Sequence, residues 1–281
     1  MFSTKAKIAA AQVAYYAITL LRKILGLSDE IVVNRRGIKW RLDLEEGIDL
    51  SIYLLGAFEW MTLLAYRRLI RPDDVVLDIG ANLGAHTLHL ARCVGPGGKV
   101  VAFEPTAFAF HKLVTNVGLN PTLSQRILTE QIMLVEKPGA VLVPRIHSSW
   151  PLASQSDLHQ KHCGRLMATD GAHATSLDEY LERTAIGRIR LVKMDVDGYE
   201  CLVLRGGMTT FKRERPLIIM ELAPYALAEA GHSLEELLDI LGTLGYTLTA
   251  LRSGQPLPTE PGVLRELIPS GYSINALAKP E

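Results

Sequence analysis

The sequence predicts an α/β fold: a doubly wound, mostly parallel sheet of about seven strands with helices on both faces. Three observations carry this. The run VVLDIGANLG (75–84) is an apolar strand that breaks into a glycine turn and opens a helix. The run VVAFEP (100–105) is a second apolar strand, and it ends on a carboxylate, Glu104. Beyond it, strand and helix patterns keep alternating, an order that calls for parallel strands joined by helical crossovers.

The elements follow in order. Residues 1–70 form a lead-in of helix, hairpin and helix packed on the core, and residues 71–281 form the main domain. Lys5 and Lys7 precede an apolar run, Ile8 to Leu21, closed by Arg22 and Lys23. Gln12 interrupts it, no cleavage site follows, and it is too short to span a bilayer, so a helix capping the domain is expected, with peripheral membrane contact as the second reading. Residues 31–48 alternate around Arg36-Gly37 and predict a hairpin serving as a lid or edge ribbon. Ile52 to Ile70 reads as one helix. Strand 75–79, helix 85–93, strand 100–103 and helix 106–119 come next. Residues 126–143 read as two strands joined by Lys137-Pro-Gly139, and 144–174 as a long irregular segment, expected to wall the acceptor side of a site. Ser176 with Glu179 and Ser233 with Glu236 are capping boxes that start helices. Ile189–Val196, Leu217–Leu222, Tyr246–Leu251 and Ser273–Ala278 supply the remaining strands, with a helix opened by Asp197 to Glu200.

Bulk properties narrow the function. Lys plus Arg equals Asp plus Glu, 30 against 30, so no charge excess points to nucleic acid. The three cysteines, Cys93, Cys163 and Cys201, have neither paired nor metal-type spacing, which fits a reducing, cytoplasmic setting. His159, His162 and Cys163 lack a second ligand pair, so no metal site is expected.

The glycine turn selects a ligand. A dinucleotide fingerprint places a pyrophosphate against a helix N-terminus. Here Asn82 stands where the middle glycine belongs, and Asp78 at the strand end repels a pyrophosphate while suiting an ammonium and a sulfonium. S-adenosylmethionine carries both. Asp78, Gly80, Asn82 and Gly84 are then expected beneath its methionine part, Glu104 on its ribose hydroxyls, and Gln131 and Ile132 beside its adenine. A nicotinamide oxidoreductase and a non-catalytic cofactor-binding protein remain the alternatives.

With VVLDIGANLG, KVVAFEPTAFAFHKLVTN (99–116), TSLDEYLE (175–182), IRLVKMDVDGYECLVLRGG (189–207) and PLIIMEL (216–222) in hand, the chain resembles the FkbM family of methyltransferases over residues 72–225. Asp197 departs from the family pattern D-V-E-G-x-E by one methylene. The resemblance implies a class I, Rossmann-like, seven-stranded sheet. It also implies transfer of a methyl group from S-adenosylmethionine to a hydroxyl of a sugar or natural product, and a cofactor role for Asn116, which matches an Asn of the family. Such chemistry needs a base. Asp195 ends a central strand on the same face as Lys193, and Glu221 ends its neighbour, so these two acids and the loop histidines are the candidates. The strand is expected to be buried on both sides, so Lys193 must be paired or neutral; a structural salt bridge to Asp195 or Glu221 is the expected role and a catalytic amine the second reading.

Overall fold

A computed structural model of the chain describes residues 4–152 and 164–281. Helix α1 (Thr4–Ile24) leads to a hairpin of β1 (Glu30–Arg35) and β2 (Ile38–Asp43), then to α2 (Gly47–Leu55) and α3 (Trp60–Leu69). The first half of the sheet unit holds β3 (Val75–Ile79), α4 (Thr87–Cys93), β4 (Lys99–Phe103), α5 (Ala107–Gly118), α6 (Pro121–Ser124) and β5 (Ile127–Glu130). Short strands β6 (Ile132–Leu134), β7 (Arg145–Ser149), β8 (Arg165–Ala168) and β9 (His173–Thr175) come between the halves, followed by α7 (Leu177–Arg183). The second half holds β10 (Ile189–Met194), α8 (Glu200–Gly206), α9 (Met208–Glu214), β11 (Leu217–Leu222), α10 (Pro224–Glu229), α11 (Leu234–Thr243), β12 (Tyr246–Ala250), α12 (Pro261–Leu267) and β13 (Ile274–Pro280).

Seven strands make the main sheet in the order β12-β13-β11-β10-β3-β4-β5, and β13 alone runs antiparallel to its neighbours. The chain builds outward from β3 through β4 to β5, then returns to start the other half at β10. The order therefore reverses between β3 and β10, and an open α/β sheet binds ligands outside the carboxyl ends of its strands at such a point. Alternation along β3 sends Val75, Leu77 and Ile79 into one core cluster and Val76 into another, so each face of the sheet has its own core. Asp78 shares the face of Val76, and Lys193 sits directly opposite it in register on β10.

The hairpin turns at Arg36 and Gly37, both at positive φ (53° and 76°), the two-residue turn whose twist matches the strands. Its inner face of Ile38, Trp40 and Leu42 is fully buried in the core beside Val76, so it is a packed ribbon and no lid. Three expected elements differ. The helix read over 52–70 is two helices meeting at 72°, because Gly56 takes the left-handed conformation (φ 74°) and caps α2. The strands read over 126–143 are β5 and β6, parted at Gln131, where the chain leaves the main sheet so that β6 pairs with β9; no strand follows the Lys137-Pro-Gly turn before β7. The segment read as irregular over 144–174 contains β7 and β8, an antiparallel ribbon whose polar composition hid its period, and β9. His159, His162 and Cys163 lie outside the described residues.

Candidate active site

The carboxyl ends of β3, β4, β10 and β11 open into a cleft of about 1060 Å³, its solvent-facing mouth included. Its floor comes from Gly80, Ala81, Asn82 and Glu104. Ile132, Met133 and Leu134 of β6 line one side. Glu59, His86, Asp195, Asp197 and Glu221 line another, and Phe58, Ile146, His147, Ser148 and Trp150 complete it.

Gly80 is required by its backbone. Its φ is 78°, and a Cβ there would lie 1.8 Å from the carbonyl oxygen of Asp195. The β3 and β10 chains thus cross at backbone contact, and Asp195 N–H donates to Ile79 O at 3.0 Å. Glu104 is buried at the tip of β4, where its two oxygens accept from Asn82 N–H (2.9 Å), Thr106 N–H (2.9 Å) and the Thr106 hydroxyl (2.5 Å). Burial still lifts its pKa above the usual carboxylate range, against the pull of those donors. Asn82, in the left-handed region at φ 48°, spends its amide on Ser148 O (2.9 Å) and so ties the glycine turn to β7.

Several expected cofactor residues serve the frame instead of lining the cleft. The Asp78 carboxylate is fully buried on the sheet face, accepting from the Thr87 hydroxyl at 2.6 Å and standing 3.5 Å from the Lys193 ammonium. Gly84 (φ 93°) makes room for Leu113, 3.0 Å from where its Cβ would be. Asn116 accepts from Arg41 N–H (2.8 Å) and donates to Leu83 O (3.1 Å), which pins the hairpin to the glycine turn. Gln131 donates to Asp170 O at 2.8 Å. Ile132 does line the cleft.

Lys193 is buried yet charged. Burial alone would lower its pKa, and Asp78, Asp195 and Glu59 together outweigh that and raise it. Its ammonium donates to Gly80 O at 2.9 Å and stands 3.7 Å from Asp195. Glu221, expected as its second partner, is instead held by the Ser273 hydroxyl, and Asp78 takes the place beside the lysine. One ammonium thus bridges the floor of the cleft to its acidic wall.

The wall is crowded with acids. Oxygens of Asp195, Asp197 and Glu221 all lie within 4.8 Å of one another. Burial, then the charge of Asp195, pushes the pKa of Glu221 well up and that of Glu59 upward. Glu59 is fixed by Asn275 (2.9 Å) and by the Thr62 hydroxyl (3.1 Å). Among the described residues six non-glycine positions have positive φ, and Glu59, Asn82 and Asp197 are three of them. Strain of this kind gathers where side chains are aimed at a ligand.

His86 is not among the histidines that the sequence pattern singles out, which lie in the loop. Its signal was its place, two residues past the second glycine at the start of α4. Its Nδ1 is 2.9 Å from the Tyr66 hydroxyl, while its buried Nε2 has no hydrogen-bond partner and lies 3.7 Å from Glu59. Burial, helped by Lys193, holds its pKa well below the usual histidine range, so the ring is neutral. Glu59 was missed for a different reason: only the break between α2 and α3 brings it to the sheet.

The floor fits an adenosyl cofactor: a glycine cradle that any Cβ would fill, and a buried carboxylate at the neighbouring strand tip. The chain is similar to several known proteins. The 2-O-methyltransferase NoeI of Sinorhizobium fredii is 25% identical over 64% of this chain and 77% of its own length. The hexuronic acid methyltransferase AglP of Haloferax volcanii is 29% identical over 53% of this chain and 56% of its own, so the match spans little more than half of that relative. The crystal structure of methyltransferase FkbM from Methylobacillus flagellatus superposes with a TM-score of 0.42 at 14% identity, over 77% of this chain and 50% of that one. The profile described as the methyltransferase FkbM domain matches residues 78–248. That is more than half of the chain, which sets the nicotinamide alternative aside: the protein belongs to the FkbM family of S-adenosylmethionine-dependent methyltransferases.

Proposed function

We propose that the protein methylates a hydroxyl group on a sugar or sugar-bearing natural product. The observation that carries this is the make-up of the cleft beyond its floor. There Trp150 and Phe58, packed edge to face at 5.9 Å between ring centres, stand beside a wall of carboxylates. Aromatic faces against the apolar C–H side of a pyranose, with carboxylates accepting from its hydroxyls, are how proteins hold sugars. The name of NoeI supports an oxygen as the methylated atom, and that of AglP supports a sugar acid as acceptor.

When bound, S-adenosylmethionine supplies an electrophilic methyl group on a sulfonium. Glu104 would accept from its ribose, Gly80 to Asn82 would hold its methionine portion, and Ile132, with Met133 and Leu134, would hold its adenine. Asp195 orients the acceptor hydroxyl at the end of β10. The proton goes to Asp195, because burial holds His86, whose Nε2 is unengaged in the same cleft, well below the pKa of an effective base. Glu221 shapes the wall through its bond to Ser273. The segment carrying β7 and Trp150 closes the acceptor side and keeps water out. We place the reaction in the cytoplasm, a reading supported by the unpaired Cys93 and Cys201; recovery of the native protein in a periplasmic fraction would refute it.

The test is a panel of sugar acceptors incubated with methyl-labelled S-adenosylmethionine and read by mass spectrometry. Label on a sugar hydroxyl is the expected result. Label only on amines or thiols would overturn the O-methyl assignment, and cofactor binding without transfer to any acceptor would return the non-catalytic reading.

A further inference from the structure

Helix α1 is attached by one face and bare on the other. Tyr15 and Thr19 are buried, and Tyr15 packs with Leu44, Leu50 and Leu152. The opposite face is apolar yet open to solvent: Val13 is 72% exposed, Tyr16 53%, Leu20 63%, Leu21 58%, Ile24 73% and Leu25, just past the helix, 62%. Positions 13, 16, 20 and 24 follow the three-four spacing of a single stripe. An ordinary surface helix turns polar residues outward, so this arrangement is inverted.

Its charge says what covers the stripe. The α1 sequence holds Lys5, Lys7, Arg22 and Lys23 and no Asp or Glu, within a chain whose acids and bases balance at 30 each. A second copy of α1 is a poor partner. Its charges all have one sign, so pairing in either direction sets cation against cation. Among the described residues no single helix is long and apolar enough to cross a membrane. An apolar stripe flanked by cations, too short to span, is the pattern of a helix that lies in the headgroup plane of an anionic bilayer.

We propose that α1 docks the protein on an anionic lipid surface, with Val13, Tyr16, Leu20 and Ile24 inserted among the acyl chains and Arg22 and Lys23 at the phosphates. The docking is independent of which acceptor the cleft takes. It would hold the enzyme beside acceptors that are themselves displayed on lipid.

The experiment is flotation of the full chain with phosphatidylcholine vesicles, with and without about a third of phosphatidylglycerol. The parent protein is expected to float with the anionic vesicles and at least about tenfold less with the neutral ones, and to release in high salt. The double variant Leu20→Asp/Ile24→Asp should lose more than about tenfold in partitioning. Lys23→Ala should lose about fivefold on anionic vesicles alone. Both variants change exposed side chains, so melting temperatures and S-adenosylhomocysteine binding should match the parent. Equal recovery on neutral and anionic vesicles, or recovery on neither, overturns the proposal. So does a concentration-dependent dimer in sedimentation velocity that the double variant disperses, which would assign the stripe to a second copy.

Discussion

The floor and the acidic wall of one cleft are built on opposite principles. On the floor every polar group is answered: Glu104 takes three donors, Asn82 spends its amide on β7, and Gly80 leaves no room for a side chain. On the wall, carboxylates of Asp195, Asp197 and Glu221 crowd together with a single buried ammonium behind them. A satisfied surface is rigid and selects by shape. A surface with surplus acceptors waits for donors, and a polyol brings many. In the proposed function the same sheet edge would hold a fixed cofactor seat and an adaptable acceptor seat, joined at Lys193.

The largest expected effect breaks the floor. Gly80→Ala sets a methyl group against the Asp195 carbonyl at a φ only glycine tolerates well, and should cost about 5 kcal/mol or more of stability in a urea melt. Gly84→Ala meets only the end of a leucine side chain and should cost markedly less. If both variants melt alike, the backbone crossing of β3 and β10 is not what makes the floor rigid.

The next effect falls on the wall. Asp195→Asn should keep cofactor affinity and lower turnover by about two to four powers of ten. Near-normal turnover would pass the role to Glu221, and Glu221→Gln would then show the loss. Activity that vanishes with a chelator and returns with magnesium would make Asp195 a metal ligand instead. Glu104→Ala should separate the two seats the other way. It removes charge-assisted bonds to the ribose, worth roughly 2–4 kcal/mol, or a factor of about 30 to 1,000 in S-adenosylhomocysteine affinity by calorimetry. Unchanged binding would take Glu104 out of the cofactor seat.

The smallest effect concerns a group behind the wall. Burial lifts the Glu200 pKa from 4.5 to about 7. The folded chain therefore keeps this proton where the unfolded chain has released it. Its contribution is fully present below pH 4.5 and is lost as the pH rises to about 7, a change of roughly 2–3 kcal/mol. Urea midpoints at pH 5 and pH 8 should show that fall in the parent and a flatter profile in Glu200→Gln. Equal slopes in the two proteins would show that other groups carry it.

What the sequence made legible follows from how far apart the cooperating residues are. The floor is written locally: strand, glycine turn and strand-end acid fall within 30 residues, and period-two alternation placed Asp195 beyond Lys193 at the ligand end. Roles assigned by position along a motif fared less well. Asp78 and Asn116 stand in the motif blocks, yet their side chains turn toward Lys193 and toward the hairpin, since burial and an unfilled backbone donor claim them first. The wall is assembled at long range. Glu59 reaches it only because Gly56 breaks a helix that apolar periodicity would continue, and β7 pairs with β8 through a run with no apolar rhythm to betray a strand.

The reversed strand β13 has a consequence for how the protein is made. It is inserted between β11 and β12, and its Asn275 clasps Glu59 from 216 positions away along the chain. During synthesis, the two strands it joins emerge from the ribosome before it, each with a bare hydrogen-bonding edge open to other nascent chains. The clasp on Glu59 is therefore among the last contacts of the sheet to form, and until it does both edges stay open to a wrong partner.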